Sequence, residues 1–177
     1  MTDGTDRTDC ADVADSAAPR VFHYTVGDYL PRIIDSGEIR AATANVPRRV
    51  RPAVWLSLDP VWEPTANKSV VQNGKLYLGG TQSTARFGGG LARIEVDPTA
   101  APYTWADYKR VSGESAAGIK RLSLAARDQG ADPRFWRISF EPIPASLWVV
   151  VEFFSEGAWT LYRPGRGDGG VARLPPR

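Results

Sequence analysis

The eight-residue run Leu147-Trp148-Val149-Val150-Val151-Glu152-Phe153-Phe154 does most to restrict what this chain can fold into. Three successive valines flanked by aromatic residues favour a pleated strand over a helix, because β-branched side chains lose rotamer freedom in a helix. The run is far short of the roughly 20 apolar residues that a helix needs to cross a bilayer. Its near-continuous apolarity predicts a strand covered on both faces, placed centrally in a sheet. Ser155-Glu156-Gly157 follows as a hairpin signal and leads into Ala158-Trp159-Thr160-Leu161-Tyr162. The fold is therefore expected to rest on a sheet.

Other segments add helices without a repeating strand–helix order. Arg20 to Thr25 reads as a short strand. Val26, Tyr29, Leu30, Ile33 and Ile34 then recur at helical spacing. Thr25 or Asp28 can cap that helix, Pro31 suits its first turn, and Gly37 suits a left-handed stop. This reading puts His23 at a strand end beside a helix N-terminus. Ala53 to Leu58 is a second strand, broken by Asp59-Pro60, and Pro64 opens a short helix. A glycine-rich stretch ends in Arg86-Phe87-Gly88-Gly89-Gly90; without a strand–helix frame it is no nucleotide fingerprint. Leu91 to Val96 alternates as a half-buried strand, with Arg93 and Glu95 expected on the solvent face. Residues 104–110 and 114–128 read as helices, Phe135 to Glu141 as a strand. The order is not βαβ, so the fold class is α+β.

The chain of 177 residues has room for one ordinary domain, placed at residues 20–163. Residues 1–19 are small, polar and acidic and are expected to be a disordered leader; the Gly-, Pro- and Arg-rich residues 164–177 are expected to be a disordered tail. Cys10 and His23 are the sole cysteine and histidine, which excludes an internal disulfide and gives no basis for a zinc site. With no apolar span and no basic-then-apolar N-terminus, the expected compartment is the cytoplasm and no membrane partner is expected. The net charge of +2 conceals an asymmetry: residues 1–20 hold five aspartates against Arg7 and Arg20, leaving 20 basic and 15 acidic residues in the rest. That mild surplus suits a phosphate-bearing ligand but lacks the dense basic stripe of a dedicated nucleic-acid binder.

Phe22-His23-Tyr24-Thr25 followed by Leu30-Pro31-Arg32-Ile33-Ile34-Asp35-Ser36-Gly37-Glu38-Ile39-Arg40 resembles the opening of the DarT-like DNA ADP-ribosyltransferases. More loosely it is similar to the KptA group of RNA 2′-phosphotransferases. The shared pattern is apolar–His–apolar–Thr, then a helix of the form Leu-x-x-Ile-hydrophobic-x-x-Gly-hydrophobic. The resemblance implies an ADP-ribosyltransferase-like fold, a split mixed or antiparallel sheet with short flanking helices. It also implies NAD as substrate, with no metal. On this resemblance His23 grips the nicotinamide ribose, Tyr24 and Thr25 shape the amide pocket, and Trp55 and Ser57 come from the second strand. The late-strand acidic residue of the family falls nearest Glu141, when the segments are aligned on Ile143-Pro144.

Glu63, directly after the second strand, is the competing carboxylate, set against the plainer reading as a helix-start acid favoured by the dipole. Glu152 in its apolar strand requires a partner if buried. Arg86, Arg48, Arg49 and Arg51 are candidates for a pyrophosphate or an acceptor backbone. The leading expectation is an NAD-dependent ADP-ribosyltransferase-like enzyme acting on a nucleic acid or nucleotide. An RNA 2′-phosphotransferase and a non-catalytic nucleotide- or nucleic-acid-binding module are the alternatives.

Overall fold

A computed structural model describes residues 18–72 and 75–163. The expected disordered leader (but for residues 18 and 19) and the expected tail lie outside the described residues. The described chain is α+β with a mostly antiparallel sheet and four α-helices.

The chain enters through β1 (Val21–Val26), turns at Gly27-Asp28-Tyr29, and forms α1 (Leu30–Ser36). Gly37 ends α1 at φ 68°, the left-handed stop expected of it. The cap differs from expectation. Tyr29 occupies the N-cap position without a side-chain hydrogen bond, while Thr25 stays within β1. His23 is consequently the third of six residues in a strand, not a strand end.

After β2 (Glu38–Ile39) and β3 (Val54–Ser57), a single 3₁₀ turn at Pro64–Ala66 starts on proline as the sequence suggests. The glycine-rich stretch then carries elements the sequence reading missed: β4 (Ser69–Gln72), β5 (Lys75–Leu78) and α2 (Thr81–Phe87). They are short and hold few apolar repeats, so no period is long enough to register. The triple glycine is a packing device. Gly27 N–H donates to the Gly90 carbonyl at 3.0 Å and Asp28 N–H to that of Gly88 at 2.9 Å. A Cβ on Gly27 would stand 2.1 Å from the Gly89 oxygen, and one on Gly90 (φ 100°) 2.2 Å from Phe153.

The chain continues through β6 (Leu91–Val96), β7 (Tyr103–Thr104), α3 (Trp105–Val111), α4 (Ala116–Asp128), β8 (Trp136–Ser139), β9 (Ile143–Pro144), β10 (Trp148–Ser155) and β11 (Ala158–Leu161). Thr104 and Asp107 form a capping box at α3, and Ser115 caps α4. The main sheet runs β11-β10-β6-β1-β3-β8-β7. β10 is therefore next to an edge, and β1 holds the centre, against the placement expected from apolarity. Val149 is 63 % exposed. The apolar run owes its character to one face, where Val151 and Phe153 pack on the Ala92, Ile94 and Val96 cluster.

β6 also departs from the half-buried strand expected, since its six residues are all buried. Arg93 and Glu95 do not meet solvent, because Phe22, Tyr24, Trp62 and Trp159 cover that face. Buried charge requires pairing. Arg93 Nε donates to Glu152 at 2.6 Å and another of its nitrogens bonds the Pro60 carbonyl, while its guanidinium lies 4.4 Å from the Phe22 and Trp159 ring centres. Arg20 pairs with Glu95 through two hydrogen bonds. Glu152 thus has the partner that its apolar strand demanded.

Removing one member of the Arg93–Glu152 pair leaves the other charge buried and unpaired, whereas removing both does not. Arg93→Met is expected to destabilise the fold by about 3–5 kcal/mol, and Arg93→Met/Glu152→Leu to recover most of that loss. Urea denaturation of the two variants and the wild type measures both. Equal damage in single and double variants would place the effect in packing alone.

Candidate functional site

The central strand is not fully zipped. β1 pairs with β6 along all six residues, but with β3 at one position, Phe22↔Ser57. β3 continues instead through four pairs with β8. The sheet therefore opens between β1 and β3, and a cavity of about 450 Å³ occupies the opening.

His23 sits at the fork. Its Nδ1 lies 3.0 Å from the Trp55 carbonyl, spanning the gap where a backbone ladder would have continued. A carbonyl can only accept, so this bond assigns the proton to Nδ1 and leaves Nε2 as a lone-pair acceptor. Burial pushes the imidazole down to about 4, against the Trp55 carbonyl, which favours the charged form; the Lys68 ammonium adds to the fall. The ring is thus neutral near pH 7, a hydrogen-bond acceptor rather than a cation.

Around it stand Tyr24, Trp55, Ser57 and Glu63, all on the cavity wall. Tyr24 donates its hydroxyl proton to the Asp59 carbonyl, and burial raises its pKa despite the opposing Arg93. Glu63 is 8 % exposed. Its Oε1 accepts from Thr65 N–H (3.2 Å) and Thr65 Oγ1 (2.6 Å), capping the Pro64 turn. Both readings of Glu63 hold together: a turn cap and a cavity carboxylate. Its Oε2 has no partner among the described residues.

Six expected site residues are elsewhere. Thr25 is buried opposite Ala92, off the cavity wall. Arg86 lies in the last turn of α2, its guanidinium 5.3 Å from the Phe87 ring centre. Glu141 points outward with a side chain 82 % exposed, 3.9 Å from Arg51. The cause is local: Ser139 Oγ donates to the Glu141 carbonyl and accepts from its N–H, closing a turn that ends β8 and turns the residue to solvent. Arg48, Arg49 and Arg51 are exposed and do not line the cavity.

The cavity also has walls that the sequence reading did not connect to it: Arg40, Lys68, Gln129 and Trp136. Lys68 is half-buried, and burial lowers its pKa. Trp136 was legible as a strand residue, but its place opposite His23's strand depends on β8 pairing with β3. Gln129 closes α4 just before Gly130, where sequence offers only a helix-end signal. Trp55 packs on Tyr108 (4.8 Å between ring centres) and edge-on to Trp136 (5.5 Å), making this wall rigid and aromatic.

No protein-family model, curated protein or solved structure matches the chain. Among the described residues no three His, Cys, Asp or Glu side chains are grouped to hold a metal ion, and no helix is long and apolar enough to cross a membrane.

Because His23 is the chain's one histidine, its ring resonances titrate without overlap. Proton NMR is expected to show it neutral until the pH nears 4. The unfolded chain binds this proton near pH 6.5, the native chain near pH 4, so between those values the unfolded state holds more protons. Stability relative to His23→Gln is therefore expected to fall as the pH drops through that window, by up to about 3 kcal/mol. A midpoint near 6.5 in the native protein would mean that the ring is hydrated rather than buried.

Proposed function

We propose that the cleft between β1 and β3 binds NAD and that the protein is an ADP-ribosyltransferase-like enzyme acting on a nucleotide or nucleic-acid acceptor. The observation that carries this reading is the opening of the sheet at His23, with a neutral imidazole fixed at the fork and its Nε2 left as an acceptor. A ribose hydroxyl donates well to such a nitrogen. The His23-x-Thr25 entry, at the position where the resemblance to DarT-like transferases begins, supports the same reading.

In the proposed reaction the glycosidic C–N bond of NAD breaks, its electron pair leaving with nicotinamide. The acceptor forms the new bond to the ribose C1′ and gives up a proton. Positive charge grows on the ribose as the bond opens. A carboxylate preorganised in a sheltered site stabilises that charge in the transition state more than in the ground state. Glu63, on the cavity wall with Oε2 unengaged, takes this role in place of Glu141, which faces solvent. Lys68 and Arg40 on the wall supply cations for a pyrophosphate. The same two cations favour the second reading, a 2′-phosphotransferase, which depends on basic groups and little on a carboxylate.

Glu63→Gln retains an oxygen to cap Thr65, so the turn should survive. It is expected to keep NAD affinity while nicotinamide release falls by about 10²-fold or more. His23→Ala is expected to lose both, and Glu141→Gln neither. Calorimetric titration with NAD and assay of released nicotinamide measure the two quantities. NAD binding with full turnover in Glu63→Gln would remove the carboxylate role and move the phosphotransferase reading ahead. Absence of any nucleotide binding by the wild type would end both.

A further inference from the structure

Among the described residues, two buried side-chain polar atoms have no hydrogen-bond partner: Nε1 of Trp136 and Oε1 of Gln129. Both residues line the cavity. Trp136 is 4 % exposed and fixed in β8, where it packs with Ala126 and Leu122 of α4. Gln129 follows the end of α4 and is anchored through Nε2, which donates to the Ala125 carbonyl at 3.2 Å, leaving the oxygen unused.

An unpaired buried polar atom loses its hydration without replacement, so native interiors keep only a few of them. Here two occur on residues of one cavity wall, and they are of opposite kind: a donor and an acceptor. Trp136 stands edge-on to the Trp55 and Trp105 rings, at 79° and 85°, which provides at most a weak N–H···π contact. No turn, cap or packing need in the fold explains the Gln129 oxygen. On the opposite side of the cavity His23 and Glu63 already have fold partners.

We infer that the α4–β8 wall is a recognition subsite for a planar group that carries a hydrogen-bond acceptor beside an N–H donor, the edge of a nucleobase or a carboxamide. The indole N–H of Trp136 donates to its acceptor, and the Gln129 oxygen receives its N–H. The aromatic wall of Trp55 and Trp136 provides apolar surface for the plane of the ring. This rests on the cavity being a nucleotide cleft, as proposed above, and adds to it the residues that read the base.

Unpaired polar atoms destabilise the empty protein but serve the bound one, so their removal should move stability and affinity in opposite directions. Gln129→Met keeps length and removes the acceptor. It is expected to raise the melting temperature of the free protein by about 2–4 °C. Calorimetry with adenosine 5′-monophosphate, nicotinamide mononucleotide and ribose 5-phosphate reads the subsite. The wild type is expected to prefer at least one base-bearing nucleotide over ribose 5-phosphate, and whichever is preferred names the source of the edge. Gln129→Met is expected to cut that preference about tenfold. Trp136→Phe is expected to do the same; since it also opens a cavity in the core, only its binding ratio is compared. If a base-bearing nucleotide is preferred and both variants keep the preference, the subsite assignment is wrong while the nucleotide cleft stands. Equal binding of all three ligands also overturns the subsite, and no binding by the wild type overturns both.

Discussion

The separation of β1 from β3 is the constraint on which the rest of the site depends. A strand in the centre of a sheet normally satisfies its backbone on both sides. β1 does so toward β6 over its whole length, yet meets β3 at one residue pair. A split at the centre of a sheet exposes backbone groups and is unfavourable unless something replaces the missing ladder. His23 supplies part of that replacement, since its ring is long enough to reach the Trp55 carbonyl across the gap. The same bond fixes the ring's tautomer, while burial keeps the ring uncharged, so the residue that holds the fork also determines what the cavity presents to a ligand. A shorter polar side chain would not span the opening, and a lysine would bring a charge into it.

The strand facing away from the fork is held by the opposite strategy. β6 is buried throughout, and its two charges are matched: Arg93 to Glu152 on the neighbouring strand, Arg20 to Glu95. Arg93 also bonds the Pro60 carbonyl, and Tyr24 donates to that of Asp59. These two bonds tie the segment after β3 to the paired half of the sheet. Glu63 comes only a few residues later, so its place on the cavity wall follows from contacts made on the far side of β1. A buried ion pair adds little net stability. Its use here is geometric: it sets where the chain after β3 must run.

How much of this could be seen in the sequence depended on the range of the interaction. Local signals were readable: the φ 68° stop at Gly37, Pro64 at the start of its turn, and the Leu91–Val96 strand to the residue. His23, Tyr24, Trp55 and Ser57 are named for a cleft by the resemblance at the opening motif rather than by any local pattern, and all four line the cavity. Interactions between distant strands were not readable. Alternation in β6 suggests a wet face, and only the covering by Trp62 and Trp159 shows that both faces are dry. Apolarity placed β10 at the centre, but sheet order is set by pairing, and pairing left it beside the edge. The resemblance, aligned on Ile143-Pro144, points to Glu141 by position along the chain, a measure blind to the Ser139 turn that directs it to solvent. Gln129 and Trp136 had no sequence signal as a pair, since nothing but the packing of α4 on β8 brings them to one wall.

The distribution of satisfied and unsatisfied groups separates a binding cavity from a packing defect. A void left by poor packing is lined by apolar atoms that have lost their contacts. The residues lining this cavity instead include a neutral imidazole with one nitrogen committed, a carboxylate with one oxygen committed, a half-buried ammonium, and two side chains that hold a donor and an acceptor with no partner. In each side chain that has fold partners, one atom secures the position and another is left over. Folding alone gives no reason to retain the second atom: an apolar residue of similar size at Gln129 would remove a desolvation cost, and a methionine could fill the space at Lys68. Polar groups that the fold can do without, collected around one opening in an otherwise well-paired sheet, are what a ligand that carries hydrogen-bonding groups and phosphate would require.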